Sequence, residues 1–169
     1  MPNKKLMIEE ATLDMDLEQF LKFFSDIKFT QPNKSNYDPS FWETTIQFQK
    51  YASASENIEG IQFNLSITFF KDKLKFLQYF GSPYKGKEGY LAACRAFNIL
   101  RNLMIKNLGQ PQQSTKCKEY ENFLRETRPT DGHPDDRYVN AAKASWDNAW
   151  ICLSEDSYAS LNLEMRMEQ

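Results

Sequence analysis

The chain holds one histidine, His133, and three cysteines, Cys94, Cys117 and Cys152, in 169 residues. That scarcity excludes the common zinc arrangements, which need clustered Cys and His at short spacing, and no CxxC pair is present. A serine or cysteine triad would have to recruit His133, and no GxSxG elbow supports one. Glycine is scarce too, at six residues. Its densest stretch, GSPYKGKEG at 81–89, matches neither the dinucleotide fingerprint nor the P-loop. No apolar run approaches the roughly 18 residues of a helical membrane span. The first twenty residues carry Glu9, Glu10, Asp14, Asp16 and Glu18 where a signal peptide would be apolar. These absences describe a soluble chain with no cofactor, no metal ligand set and no address, cytoplasmic by default. An exported protein stripped of its leader would read the same way. The cysteines, odd in number and far apart, read as reduced thiols that fill space as small hydrophobes.

What is present is apolar and aromatic. Hydrophobic residues make up 41%, aromatics 14% and charged residues 26%, which is the composition of a globular protein rather than a disordered one. A chain of this length buries roughly 70% of its unfolded surface, so one domain over 1–169 is expected.

The clearest local signal lies at 61–80. Ile61, Phe63, Leu65, Ile67 and Phe69 alternate with Gln62, Asn64, Ser66 and Thr68, the two-residue period of a half-buried strand. Phe70 to Lys73 interrupt it, and Leu74, Phe76, Tyr79 and Phe80 resume it, which predicts a tight hairpin. Trp42 to Tyr51 alternates more weakly and predicts a preceding strand, with 52–60 as a small polar connection to Gly60. Upstream, Leu13, Leu17, Phe20, Leu21, Phe24 and Ile27 predict an amphipathic helix over 13–27. Tyr90, Ala93, Cys94, Phe97, Leu100, Met104 and Leu108 form the apolar stripe of a long helix over 87–108, stopped by Gly109 and Pro111. Residues 110–145 read as an irregular helical insert, with short helices at 115–127 and from Asp136 to Ala144 flanking the loop RPTDGHPDD. Trp150 to Leu153 and Ser160 to Met167 then form a second hairpin. The expected fold is α+β and two-layer: one antiparallel sheet of about five strands in βββ-α-ββ order, packed against the long helix.

Charge is unevenly spread. Residues 1–60 hold six Lys/Arg and ten Asp/Glu, 61–118 hold ten and two, and 119–169 hold five and eleven, so −4, +8 and −6 give the net −2. The basic centre supplies a candidate binding patch: Phe70, Lys71, Lys73 and Lys75 at the hairpin, with Tyr84, Lys85 and Lys87 in the following link. Such a patch suits an acidic partner, a phosphate or single-stranded nucleic acid. The competing reading has lysines guarding a strand edge while the acidic ends fold back over them. An overall pI near 5.5 argues against nucleic acid. His133 with Asp135 and Asp136 is the one imaginable metal-assisted hydrolase or nuclease site, although the same residues make an ordinary turn.

The order helix, three strands, helix, two strands resembles the core of bacterial type III secretion chaperones, which are small and acidic. The chain departs from them in lacking their final helix and in the insert 110–145. It is equally similar to small α+β bacterial immunity and accessory proteins. The resemblance implies a bacterial, non-enzymatic module that binds another protein or a second copy of itself. Aromatic-rich content without an assembled catalytic set favours the same expectation.

Overall fold

The computed structural model describes residues 5–81, 84–127, 139–155 and 160–169. Three short helices open the chain, α1 (Met7–Glu10), α2 (Leu17–Phe23) and α3 (Pro39–Thr44). A meander of β1 (Gln49–Ile58), β2 (Ile61–Phe70) and β3 (Lys73–Phe80) leads into the long helix α4 (Gly86–Leu108). Then come β4 (Gln113–Ser114), α5 (Tyr120–Thr127) and a second meander of β5 (Val139–Trp146), β6 (Ala149–Glu155) and β7 (Leu161–Glu168). All described pairings are antiparallel, and the seven strands form one sheet in the order β1-β2-β3-β7-β6-β5-β4.

The α+β class and the single antiparallel sheet agree with the sequence, whereas the five strands and the βββ-α-ββ order do not. Among the described residues seven strands are present, and three full strands follow α4. Two misread segments account for this. Trp42 to Phe48 is not a strand, because Asp38 accepts a hydrogen bond from the Ser40 N–H at 2.9 Å and Pro39 occupies the first helical position, so α3 starts there. Strand β1 is instead the polar run taken as a connection. Its pairing with β2, unbroken from Gln49 opposite Phe70 to Ile58 opposite Ile61, overrides the weak strand preference of Ala, Ser and Glu. The second is the helix expected at Asp136 to Ala144. Ala141, Ala142 and Ala144 are good helix formers, yet 139–146 is strand, held through the Asp147–Asn148 turn against β6. Among its described residues the insert is thus mixed, with a helix only at α5. The helix expected at 13–27 is shorter, starting at a capping box between Asp16 and Gln19.

The core lies on one side of the sheet. Ile61 to Phe69, Leu77, Tyr79, Ile151, Leu153 and the alternating Leu161 to Met167 point toward the helices. Under the second meander they meet Ala93, Phe97, Leu100 and Met104 of α4. Under the first they meet α1 and an aromatic cluster in which Phe20 lies 5.4 Å and Phe29 5.2 Å from Phe69. Helix α4 ends as expected, at Gly109 with φ 84°, a conformation that costs glycine little. The β2–β3 turn has no such residue: Lys71 and Asp72 both hold positive φ, 50° and 60°, the geometry in which glycine or asparagine is usual.

Phe97 is fully buried at the centre of this packing. Truncation to Ala should therefore lower stability by about 3 to 5 kcal/mol in denaturant unfolding. Leu91→Ala, at a site 55% exposed on the same helix, should change it by less than about 0.5 kcal/mol. Equal effects would displace α4 from the sheet.

Candidate interaction face and the buried polar anchor

One-sided packing leaves the other sheet face to be accounted for. Helices α1, α2 and α4 carry their buried side chains on the core face, and α3 has none. On the opposite face of β1, β2, β3, β6 and β7, only Gln78 is buried among the described residues; the rest are half-buried or exposed. Tyr51, Phe70, Phe76, Phe80 and Trp150 are the aromatic members, set among Ser53, Ser55, Asn64, Ser66, Thr68, Asn162 and Ser154. The position of Phe76 here corrects the expected alternation. The register shift at Thr68/Phe69 makes Thr68 face Phe76 and Phe69 face Leu74, which leaves Lys75 as the extra residue of a bulge. Leu74, Leu77 and Tyr79 then face the core and Phe76, Gln78 and Phe80 face out.

Arg166 sits at the middle of this open face. Its guanidinium carbon lies 4.5 Å from the Phe76 ring centroid and 5.4 Å from that of Trp150, within cation–π range. Glu164 at 3.3 Å and Glu168 at 3.7 Å pair with the guanidinium, and Gln78 donates to Glu164. The centre is therefore aromatic, and its one cation is paired with two carboxylates. Cys152 lies on the same face, opposite Glu164 of β7, and burial pushes its thiol up. No general acid–base pair is assembled there.

The basic patch expected from the sequence falls into two places. Phe70, Lys71, Lys73 and Lys75 lie at one end of β3, and Tyr84, Lys85 and Lys87 follow its other end, about 23 Å away at strand rise. At the hairpin end the acidic N-terminal segment folds back. Residues 14–17 hydrogen-bond to the backbone of Asp72 and Leu74, which carries Asp16 to Lys73 at 2.5 Å and Asp14 to Lys75 at 3.0 Å. The hydrogen bond it donates to Asp16 raises the Lys73 ammonium pKa. Lys50 pairs with Asp72 at 2.6 Å, and Lys71 lies over the rings of Phe48 and Phe70 at 5.3 and 5.6 Å. At the other end Tyr84 is half-buried, bridging to Leu161, Lys87 pairs with Glu121 at 3.5 Å, and Lys85 is exposed.

The buried polar group on the core face has no signature in residue order. Glu56, 3% exposed, accepts from the Met7 N–H at 2.9 Å and from the Tyr79 hydroxyl at 2.5 Å, while that hydroxyl accepts from the Ile8 N–H at 3.1 Å. The first donors of α1 are thereby satisfied by side chains of β1 and β3. Asn107 of α4 completes the tie by donating to the Ile8 carbonyl at 2.7 Å. Burial, reinforced by the Glu56 carboxylate, raises the Tyr79 phenol well above its ordinary value of 10.0. A second cluster joins α4 to the strand-to-helix link before α5. Tyr90 donates to the Lys118 carbonyl at 2.6 Å and stacks on Phe123 at 4.6 Å. Cys94, one turn along, meets Cys117. The mutual hydrogen bond holds the Cys94 thiol low and pushes the Cys117 thiol up.

A cleft of about 470 Å³ opens where the end of α4 meets the β5–β6 turn, lined by Leu13, Asn107, Gln110, Gln112, Trp146 and Asp147 among others. Its Trp146 N–H donates to the Gly109 carbonyl at 2.9 Å, and Asp147 accepts from Gln112. With one ionisable group on an amide-rich wall, it lacks the paired carboxylates of acid–base hydrolysis. Among the described residues no three His, Cys, Asp or Glu side chains are grouped to hold a metal, and no helix is long and apolar enough to cross a membrane. His133, Asp135 and Asp136 lie outside the described residues.

Comparison with known proteins finds no matching family model, no matching curated protein and no matching solved structure.

Two expectations follow. Because folding raises the Tyr79 pKa, its contribution is complete below about pH 10 and is lost as pH rises above that value. Guanidinium midpoints measured from neutral pH upward should thus fall more steeply beyond pH 10 for the wild type than for Tyr79→Phe, and parallel curves would acquit Tyr79. Exposed ion pairs add little, so Lys73→Gln with Lys75→Gln should move the thermal midpoint by no more than about 4 °C. A larger loss would show that these pairs hold the N-terminal segment in place.

Proposed function

We propose that this protein is a non-enzymatic protein-binding module that presents the open sheet face to a folded partner protein. The observation that carries the reading is the composition of that face. Rigid aromatic side chains, Phe76, Phe80 and Trp150, stand among small hydroxyl and amide groups on a backbone fixed by a seven-stranded sheet. Large aromatics supply contact area at low entropic cost, and Ser, Thr and Asn supply adaptable hydrogen bonds, the division of labour found in protein-recognition surfaces. The pairing of Arg166 with two glutamates and of the hairpin lysines with aspartates favours a mixed polar–apolar partner surface over a nucleic acid, which needs free cations along its phosphates.

The test places a photo-crosslinking residue at the exposed Asn64, on the open face, or at the exposed Asn102, on α4, in cells of the native host. A partner trapped from Asn64 and not from Asn102 is then purified and titrated with the protein. Replacing Phe76 and Trp150 by Ser should weaken that complex at least about tenfold. Equal crosslinking from Asn102, or unchanged affinity of the double variant, overturns the proposal.

A further inference from the structure

The two edges of the sheet are built differently. At one edge β4 has two residues, and beside it β5 carries a register irregularity at Asn140/Ala142 and the exposed Lys143. A very short edge strand, a bulge and a lysine are devices that stop a strand from pairing with another chain. At the other edge β1 runs ten residues with no bulge and no proline. Among the described residues only its start is covered, where Tyr51 exchanges both backbone hydrogen bonds with Thr30 at 2.8 Å. Antiparallel alternation fixes the rest: since Tyr51 turns its N–H and C=O away from β2, so do Ser53, Ser55 and Asn57. These three residues are exposed, and their six backbone groups meet no backbone partner among the described residues.

We infer that β1 pairs antiparallel with β1 of a second copy, about a two-fold axis at Ser55, joining the two sheets into one. This places Ser55 opposite its own counterpart, Ser53 opposite Asn57 and Ala54 opposite Glu56, with six main-chain hydrogen bonds in the new ladder. The second copy fits because the segment is complementary to itself. Its one charged residue, Glu56, is buried and turned to the helix side, held by Met7 and Tyr79, and it falls opposite an alanine rather than another carboxylate. The register is bounded on both sides, by Thr30 over Tyr51 and by the turn at Glu59 and Gly60, both of positive φ. Each copy uses the one open edge among its described residues and the far edge is guarded, so association closes at two chains instead of growing into a fibre. The axis is normal to the sheet, so both open faces lie on the same side. None of this depends on the open face binding a partner.

Sedimentation of the full chain over a range of concentrations, at about 0.05 M salt to limit screening, should show a reversible monomer–dimer equilibrium. Ser55→Lys sets two like charges directly opposite each other, as does Ser55→Glu, so each variant alone should dimerise at least about fivefold more weakly. An equimolar mixture of the two should recover the dimer as a heterodimer. Gln62→Lys, exposed on β2 away from the edge, should leave the equilibrium unchanged. A wild type that stays monomeric at every concentration overturns the inference. So does a dimer indifferent to charge at Ser55, or a Lys and Glu mixture that stays dissociated.

Discussion

The ladder between β3 and β7 is the constraint on which the rest of the architecture depends. Each three-stranded meander is local in sequence and needs only its own turns. Joined by Phe76 to Phe80 against Glu164 to Glu168, they become a single sheet with one continuous apolar side. A bundle of helices can then cover that side from end to end, α1 and α2 beneath the first meander and α4 beneath the second. The same junction sets Arg166 beside Phe76 and Trp150, residues from both halves of the chain. Core and open face are thus two outcomes of one pairing.

Within the core, Glu56 is the expensive residue. A carboxylate removed from water is tolerated only when its oxygens are fully engaged, and here the donors are the otherwise orphaned amides of α1 together with Tyr79. The four-residue α1 could not persist on propensity alone. It exists because β1 and β3 hold its beginning and Asn107 holds its Ile8 carbonyl.

Much of the fold could be read from residue order, and the exceptions have physical causes. The alternation in β2, the stripe and glycine stop of α4 and the final hairpin were visible because each obeys its own period. Strand β1 was hidden because Ser and Ala have little strand preference and only its pairing with β2 orders it. The alanines of β5 favour a helix, and packing beneath the sheet overrides them. The bulge at Lys75 was equally invisible, so Phe76 was assigned to the wrong face. Of the candidate site, the lysines were found but not their partners. Asp14 and Asp16 lie about sixty residues away in sequence, and only the fold brings them to Lys75 and Lys73. The aromatic open face had a faint signal in Phe70, Phe80 and Trp150, off-period residues too apolar for a wetted surface.

The interior position of β3 also has a history in the chain's synthesis. Its second neighbour, β7, begins at Leu161, 81 residues after β3 ends at Phe80. At ribosomal speeds of about 5 to 20 residues per second, the nascent first meander waits about 4 to 16 s with its innermost strand still an open margin. A strand flanked on both sides in the finished molecule is an edge while it is being made. Until β7 is made, Leu77 and Tyr79 have β2 on one side and no strand on the other.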